Sequence, residues 1–353
     1  MTLAPPAPEV TAAPCSPRGP LSDAVLRRLT GTTPTLDVDV DAALSLCDDP
    51  LRDEDLQLAL FLLYASASGS LEDLDPELEW DPELIGIRRR LEAVFEAALR
   101  AAIPVPELPE PTSDAVARAL FDLTSADAGP SLSRYVARKA TLEQVREFFA
   151  HRTIYTLREA DPHSWAIPRL RGRSKAALVE IQSDEYGGGD PERVHATIFA
   201  KAVRAIGLDD TYGAYLDAVP AVTLASHNTM SLFGLNRRLV GAIVGHLAAF
   251  EMTSSIPNRF YGDGMRRLGF GEDVTEYFDE HVEADAVHEQ IAARDLAGSL
   301  AEDRPELLAD IMFGAAACLA VDGAVAAHMH DAFTRGESSL REPLAEPLAE
   351  ARP

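Results

Sequence analysis

Apolar residues recur at helical spacing along most of this chain. The clearest stretch is PELIGIRRRLEAVFEAALRAA, in which apolar side chains three and four positions apart line one face: Leu84, Ile87, Leu91, Val94, Phe95 and Leu99. Strand-like alternation is convincing nowhere. The pattern therefore predicts an all-α helical bundle. Beyond residue 112, helices are predicted over 114–127, 131–138, 141–160, 173–186, 191–206, 209–217, 220–234, 237–254, 257–268, 273–279, 280–297 and 303–334.

Proline-rich stretches suggest how the chain is divided. Residues 1–40 are rich in proline and alanine and predict a mobile tail, with one helical turn around SDAVLRRL. The segment IPVPELPEPTSD contains four prolines and predicts a linker. We therefore expect a helical accessory region over 41–128, a main helical domain over 129–335 and a C-terminal tail over 336–353.

Composition and charge exclude several classes of function. The 353 residues carry a formal net charge of −25, which argues against nucleic acid and anionic membranes as partners. It is compatible with a cationic substrate without requiring one. The three cysteines are far apart and lack CxxC spacing, so a reduced cytoplasmic protein is expected. The N-terminus lacks a basic signal-peptide region, and the longest apolar run, LVGAIVGHLAAF, predicts no membrane span.

The most informative motif is HVEADAVH, which places His281, Asp285 and His288 at positions i, i+4 and i+7 of a predicted helix. At about 100° per residue, these side chains fall within a wedge of roughly 60°. Two imidazoles and a carboxylate aimed at one point suit a borderline metal such as iron. Two surface histidines beside a solvated acid explain the triplet equally well.

Other helices offer further candidate ligands. Glu185 and His195 flank the break at 187–189, where three glycines end one predicted helix before another begins. Glu251 follows a long apolar helix, and a buried carboxylate there needs a partner or a metal. Glu159 ends another predicted helix. Taken singly, Glu159 and Glu185 also fit surface acids, and His195 fits a hydrogen-bonded core histidine.

Together these positions resemble a known family. The stretches READPHSWAIPRL, EIQSDEYGGGDPERVH, FEMTSSIPNRFYGDG and HVEADAVH are similar to motifs of the heme-oxygenase-like diiron oxidases and oxygenases, also called iron-containing redox enzymes. The extra carboxylate at Glu159 resembles the N-oxygenating branch, whose members act in azomycin and streptozotocin biosynthesis. The resemblance implies seven metal ligands: Glu159, Glu185, His195, Glu251, His281, Asp285 and His288.

The resemblance also implies an activity. Two iron ions cycling between Fe2+ and Fe3+, with O2 as co-substrate, would N-oxygenate a small amine, guanidine or aminoimidazole in natural-product biosynthesis. A homodimer and an external electron donor are further expectations. Alternatives are cleavage or desaturation of a fatty acid or amino acid on the same scaffold, heme binding, a cysteine nucleophile, and inert iron binding. The candidate carboxylates would repel the propionates of heme, which argues against heme binding. No cysteine lies in the four motif stretches, which argues against a cysteine nucleophile.

Overall fold

The computed structural model describes residues 13–72, 74–125 and 131–344, apart from the side chains of 283–286. Within these residues there is no β-strand, which confirms the all-α prediction. The helices are α1 Pro20–Leu29, α2 Val40–Leu44, α3 Glu54–Ser68, α4 Pro82–Ala102, α5 Ser113–Thr124, α6 Leu132–Arg138, α7 Leu142–Thr156, α8 Asp161–Ser164, α9 Gly172–Glu185, α10 His195–Ala205, α11 Ala221–Leu235, α12 Val240–Arg267, α13 Glu272–Gln290, α14 Ser299–Asp303 and α15 Leu308–Arg335. An eight-residue π-helical segment, Ile291–Gly298, joins α13 to α14.

Two 28-residue helices, α12 and α15, form the centre of the bundle and pack along each other. Gly245 allows the two backbones to touch, because a Cβ atom there would lie 1.8 Å from the carbonyl oxygen of Ile311. The stretches Arg237–Arg267 and Pro305–Arg335 are long and apolar enough to cross a membrane. Inside the protein, 67% and 56% of their most apolar windows are buried, so packing in the bundle accounts for their composition.

The N-terminal segment differs from the predicted mobile tail. Helix α1 packs against α3 and buries Leu21, Val25 and Leu29. The carboxylate of Asp55 accepts hydrogen bonds from the backbone N–H groups of Leu21 (2.8 Å) and Ser22 (2.7 Å), which caps the start of α1. The helical turn predicted around SDAVLRRL is therefore present as α1, but it is longer than predicted and packed against the bundle instead of lying in a mobile tail. Residues 1–12 lie outside the described part of the chain.

Several predicted helix boundaries are also wrong. Residues 209–217 form turns, and the two helices predicted on either side of Pro257 are one continuous helix, α12. A proline inside a helix costs about 3 kcal/mol, and the packing of α12 against α13 and α15 offsets that cost. The predicted break before residue 280 is absent from α13. In the C-terminal tail, Ser339 is buried and its hydroxyl donates to Glu147 (2.7 Å).

The core has two parts. The larger cluster of buried apolar residues includes α1, α3 and α4 as well as α9, α11, α12 and α15, so apolar packing crosses the proline-rich linker. The predicted domain limits stay predictions. A smaller cluster contains Phe149, Phe199, Tyr277 and Phe278. It anchors α13 one turn before His281, which positions the site described next.

Candidate metal centre

Six of the seven predicted ligands converge in one buried cluster. Glu159 lies just after α7, Glu185 ends α9, His195 begins α10, Glu251 lies within α12, and His281 and His288 lie on α13. None of these six residues is more than 7% exposed. The side chain of Asp285, the seventh, lies outside the described residues. Their convergence is a property of the structure, and their role as metal ligands stays a prediction.

The six side chains form two overlapping sets. One set contains Glu159, Glu185, His195 and His281, and the other contains Glu185, Glu251 and His288. Within each set, one potential ligand atom per residue lies within 4.8 Å of all the others. Glu185 belongs to both. The sequence analysis predicted no such sharing, because it depends on where two oxygens of one side chain point.

Glu185 reaches the two sets through its two oxygens. Its Oε2 atom lies 3.0 Å from Nδ1 of His195, and its Oε1 atom lies 4.0 Å from Nδ1 of His288. Glu185 and His195 can face each other because the intervening chain turns sharply at Gly187, whose φ is +75°. A Cβ atom at Gly187 would lie 2.7 Å from the backbone nitrogen of Val194. Both the φ angle and this close approach therefore require glycine.

Glu159 owes its position to a strained turn. Helix α7 ends at Thr156, four residues before the predicted end, and Ala160 has φ +73°. Among the described residues, Ala160 is the only non-glycine with positive φ. Left-handed backbone at such a residue costs of order 1 kcal/mol and persists where the surroundings enforce it. Here the Gln182 side-chain amide donates a hydrogen bond to the Ala160 carbonyl (2.9 Å).

The ring of His281 is oriented by Tyr277, one helical turn earlier. Its Nδ1–H donates to the backbone carbonyl of Tyr277 (2.7 Å), which leaves Nε2 facing Glu159 at 3.6 Å. The Tyr277 hydroxyl lies 2.9 Å from both oxygens of Glu159, to which it donates. Burial raises the pKa of Glu159, but attraction from His281, His195 and Arg152 outweighs burial and leaves this pKa below its ordinary value.

The ring of His288 is oriented by a carboxylate on a neighbouring helix. Its Nε2–H donates to Oδ2 of Asp184 (3.0 Å), and its Nδ1 lies 3.3 Å from Oε2 of Glu251. A carboxylate behind the ring is the usual arrangement for a metal-binding histidine, because it fixes the tautomer. Burial lowers the pKa of His288, but the attraction of the nearby Glu251 carboxylate and the hydrogen bond to Asp184 outweigh burial and raise it to about 9.

This cluster fits a metal centre. The Nδ1 atoms of His195 and His288 are buried and lie 3.0 Å and 3.3 Å from carboxylate oxygens of Glu185 and Glu251, but neither contact has the geometry of a hydrogen bond. Burial and repulsion from Glu185 raise the pKa of Glu251. Imidazole nitrogens without a well-formed hydrogen bond, among crowded and desolvated carboxylates, are costly without a cation. Imidazole and carboxylate donors together suit iron.

A cavity of about 390 Å³ adjoins the cluster. Glu159 and His281 lie in its wall, as do Tyr155, Phe250 and Tyr277. Its volume falls within the range of small-molecule sites. A second, smaller cavity beside Glu185 and Glu251 has a volume of about 10 Å³, which leaves room for little more than an ion or a water.

Sequence reasoning missed three residues that support the cluster: Arg152, Asp184 and Tyr277. Asp184 adjoins Glu185, and Tyr277 precedes His281 by one helical turn, so sequence proximity was the available signal. Tyr186, which adjoins Glu185 in the sequence, does not support the cluster in this way. Its hydroxyl instead donates to Asp161 (2.8 Å), away from the cluster.

Comparison with known proteins agrees with this geometry. The profile of the iron-containing redox enzyme family matches residues 146–323, half of the chain. The chain belongs to this family. The matched region contains all six clustered residues and the 390 Å³ cavity wall contributed by α7, α11, α12 and α13. The protein is accordingly an oxidoreductase with a heme-oxygenase-like helical fold, and its buried histidine and glutamate cluster fits iron binding.

One relative shares part of the chain. Nitrosourea synthase of Streptomyces achromogenes subsp. streptozoticus is 28% identical over 147 residues. The match covers 41% of this chain and 31% of that enzyme, so the similarity concerns about a third of the relative.

Proposed function

We propose that this protein is a non-heme diiron oxygenase that uses O2 to N-oxygenate a small amine, guanidine or aminoimidazole. The product would be a hydroxylamine or a nitro compound. The observation that carries the proposal is the pair of adjacent ligand sets joined through Glu185. The partial similarity to nitrosourea synthase supports nitrogen chemistry.

The six clustered residues would be divided between two iron ions. Glu159, His195 and His281 would hold one iron, Glu251 and His288 would hold the other, and Glu185 would bridge them. Asp285 remains a predicted ligand. When bound, two ferrous ions supply the electrons that reduce O2 for transfer of an oxygen atom to the substrate.

Residues around the 390 Å³ cavity would orient Glu159 and enclose the substrate. The rings of Tyr155, Phe250 and Tyr277 line the cavity beside Glu159. The Tyr277 hydroxyl and the Arg152 guanidinium compensate the charge of Glu159, since Arg152 Nη2 donates to that hydroxyl (3.1 Å). These contacts would hold Glu159 in one orientation beside the substrate.

The cavity lining bears on the alternative reaction, cleavage or desaturation of a fatty acid or amino acid. Arg152, Asn258 and Asp322 all lie in the wall. Polar and charged side chains are poor neighbours for a long acyl chain. Apolar side chains such as Met230, Leu319 and Met329 line much of the remaining wall, so the lining favours a substrate that carries a polar group beside an apolar part.

The test begins with the full chain loaded anaerobically with Fe2+. We expect two iron ions per chain by elemental analysis. After addition of ¹⁸O2 and a panel of amines, guanidines and aminoimidazoles, mass spectrometry should find labelled oxygen on a substrate nitrogen. Labelled or desaturated products altered only at carbon would favour the alternative reaction. Two bound irons without O2 uptake would contradict both.

The setting of the enzyme is also a proposal. We propose a cytoplasmic homodimer that receives electrons from an external donor. Leu46 and Trp80, each 77% exposed, lie in the accessory region and support an interface there. Light scattering of the wild type and of a Leu46→Glu, Trp80→Glu variant tests the dimer: the variant should have the mass of one chain.

A further inference from the structure

An acidic side chain in the 390 Å³ cavity has no role in the ligand sets. Asp322, on α15, lines this cavity. The Ser226 hydroxyl donates to Oδ1 of Asp322 (2.5 Å), and the Cys318 thiol donates to Oδ2 at 3.7 Å. Within the described chain, no lysine, arginine or histidine nitrogen comes within 4.0 Å of this carboxylate. Burial raises its pKa. An unpaired buried carboxylate is costly, which calls for an explanation.

A second acceptor faces the same cavity. Asn258, on α12, is 4% exposed and lies in the cavity wall. Its Oδ1 atom is buried and accepts no hydrogen bond. A buried amide oxygen without a donor forfeits roughly 1–3 kcal/mol. The Asn258 amide oxygen and the Asp322 carboxylate are therefore both acceptors without an N–H donor.

The nearest guanidinium is engaged elsewhere. Arg152 donates from Nη2 to the Tyr277 hydroxyl (3.1 Å). Its guanidinium carbon lies 5.6 Å from the ring centre of Phe148, 6.0 Å from that of Tyr261 and 5.6 Å from that of Tyr277. These contacts hold Arg152 on the Glu159 side, with several aromatic rings around it. The Arg152 charge lowers the pKa of Asp322, but burial outweighs this effect, and no Arg152 nitrogen lies within 4.0 Å of the carboxylate to form an ion pair.

We propose that Asp322 and Asn258 bind a cationic nitrogen group of the substrate, a guanidinium or a protonated amine. This inference rests on the proposed function and narrows it to substrates that carry a positive charge. The cation neutralises the Asp322 carboxylate and donates a further N–H to Oδ1 of Asn258. Anionic and uncharged analogues of the same shape bind poorly, because they leave one or both acceptors unpaired.

Binding without turnover tests the inference. The full chain is loaded with Zn2+, which supports no oxidation, and titrated calorimetrically with two matched pairs of probes. Methylguanidinium and arginine carry the cation, whereas N-methylurea and citrulline have the same shape without the guanidinium charge. We expect each cation to bind at least about tenfold more tightly than its uncharged partner, the value of one charged hydrogen bond.

Variants separate the two acceptors. Asp322→Asn keeps the acceptor for Ser226 and should abolish the preference for the cations. Asn258→Leu should weaken the cations and the ureas alike, since both donate N–H groups. Asp331→Asn is the matched control, because Asp331 is an exposed acid on the same helix, and it should retain the wild-type preference.

Thermal unfolding without ligand provides a second readout. If Asp322 serves a ligand, Asp322→Asn should melt at or above the wild-type temperature, because it removes an uncompensated buried charge. A lower melting temperature together with an unchanged cation preference would assign Asp322 to structure alone. Equal binding within each probe pair, or no saturable binding of either cation, also overturns the proposal. Inactivity of the iron-loaded enzyme with an intact cation preference would refute the proposed function and leave this site standing.

Discussion

The shared position of Glu185 leads to a prediction about metal stoichiometry. Its two oxygens face different ligand sets, 3.0 Å from Nδ1 of His195 and 4.0 Å from Nδ1 of His288. Glu185→Gln keeps the size of the side chain but removes the charge, so both sets lose a carboxylate. Glu159→Gln weakens only the first set, and Glu251→Gln weakens only the second.

The expected magnitudes follow from the size of each set. Removing a residue that only hydrogen-bonds to a metal ligand typically weakens metal affinity roughly 10–100-fold. Removing a ligand itself should therefore weaken metal affinity at least about 100-fold, or about 2.7 kcal/mol. Glu185 supplies one of four residues in the first set and one of three in the second. The Glu185→Gln variant should therefore lose affinity at both positions. Each of the other two variants should retain one tightly bound metal.

Anaerobic equilibrium dialysis against Fe2+, followed by elemental analysis, measures these stoichiometries. Glu180→Gln is the matched control, because Glu180 is an exposed acid on the same helix, α9, and it should bind metal like the wild type. Circular dichroism verifies that all variants are folded. The reasoning is refuted if Glu185→Gln binds two metals with wild-type affinity, or if it loses only one of them.

Three further predictions concern the surroundings of the cluster. Asp184→Asn should weaken metal binding about 10–100-fold, because Asp184 orients His288; unchanged affinity in a Co2+ titration would argue against that role. Because the pKa of metal-free His288 is raised to about 9, metal must displace its proton at pH 7. Calorimetry in buffers of different ionisation enthalpy should find proton release, with affinity rising roughly tenfold per pH unit toward pH 9; a pH-independent affinity would contradict this. Burial lowers the pKa of His227 from 6.5 to about 4, so the unfolded chain takes up the proton first as pH falls. The stability that neutral His227 confers is complete above pH 6.5 and is lost as pH falls toward 4, by roughly 1 kcal/mol between pH 7 and 5.5. Urea unfolding at pH 7 and at pH 5.5 should show this decrease in the free energy of unfolding of the wild type and a smaller decrease in His227→Gln. An equal decrease in the two proteins would refute the prediction.

Helical spacing predicted the fold where one face of a helix is buried. In α4, five of the six residues that the periodicity placed on one face are buried, and the sixth, Val94, is half-buried: the buried five are Leu84, Ile87, Leu91, Phe95 and Leu99. Helical spacing could not predict packing between helices that are distant in the sequence. Contacts with distant helices hold α12 continuous through its proline and bury α1 among prolines, and neither contact leaves a local signal in the sequence.

For the candidate site, the sequence predicted which residues take part but not how their side chains are arranged. Spacing on one helix indicated that His281 and His288 face the same way, and family motifs supplied the partners on other helices. The position of Glu185 between the two ligand sets and the supporting hydrogen bonds of Asp184 and Tyr277 could not be predicted in this way. They depend on side-chain directions set by packing between α9 and α13, which a linear spacing rule does not describe.

Glu159 shows most clearly how the backbone determines this chemistry. Had α7 continued to residue 160, as the periodicity predicted, the direction of this carboxylate would have followed from helical spacing. Instead α7 stops at Thr156, and Ala160 adopts a left-handed conformation held by the Gln182 side chain. Gln182 lies on α9, one turn before Glu185, so the helix that supplies the shared carboxylate also fixes the turn that presents Glu159. The two carboxylates are therefore positioned together. A change at Gln182 should disturb the first ligand set although this residue contributes no ligand to it.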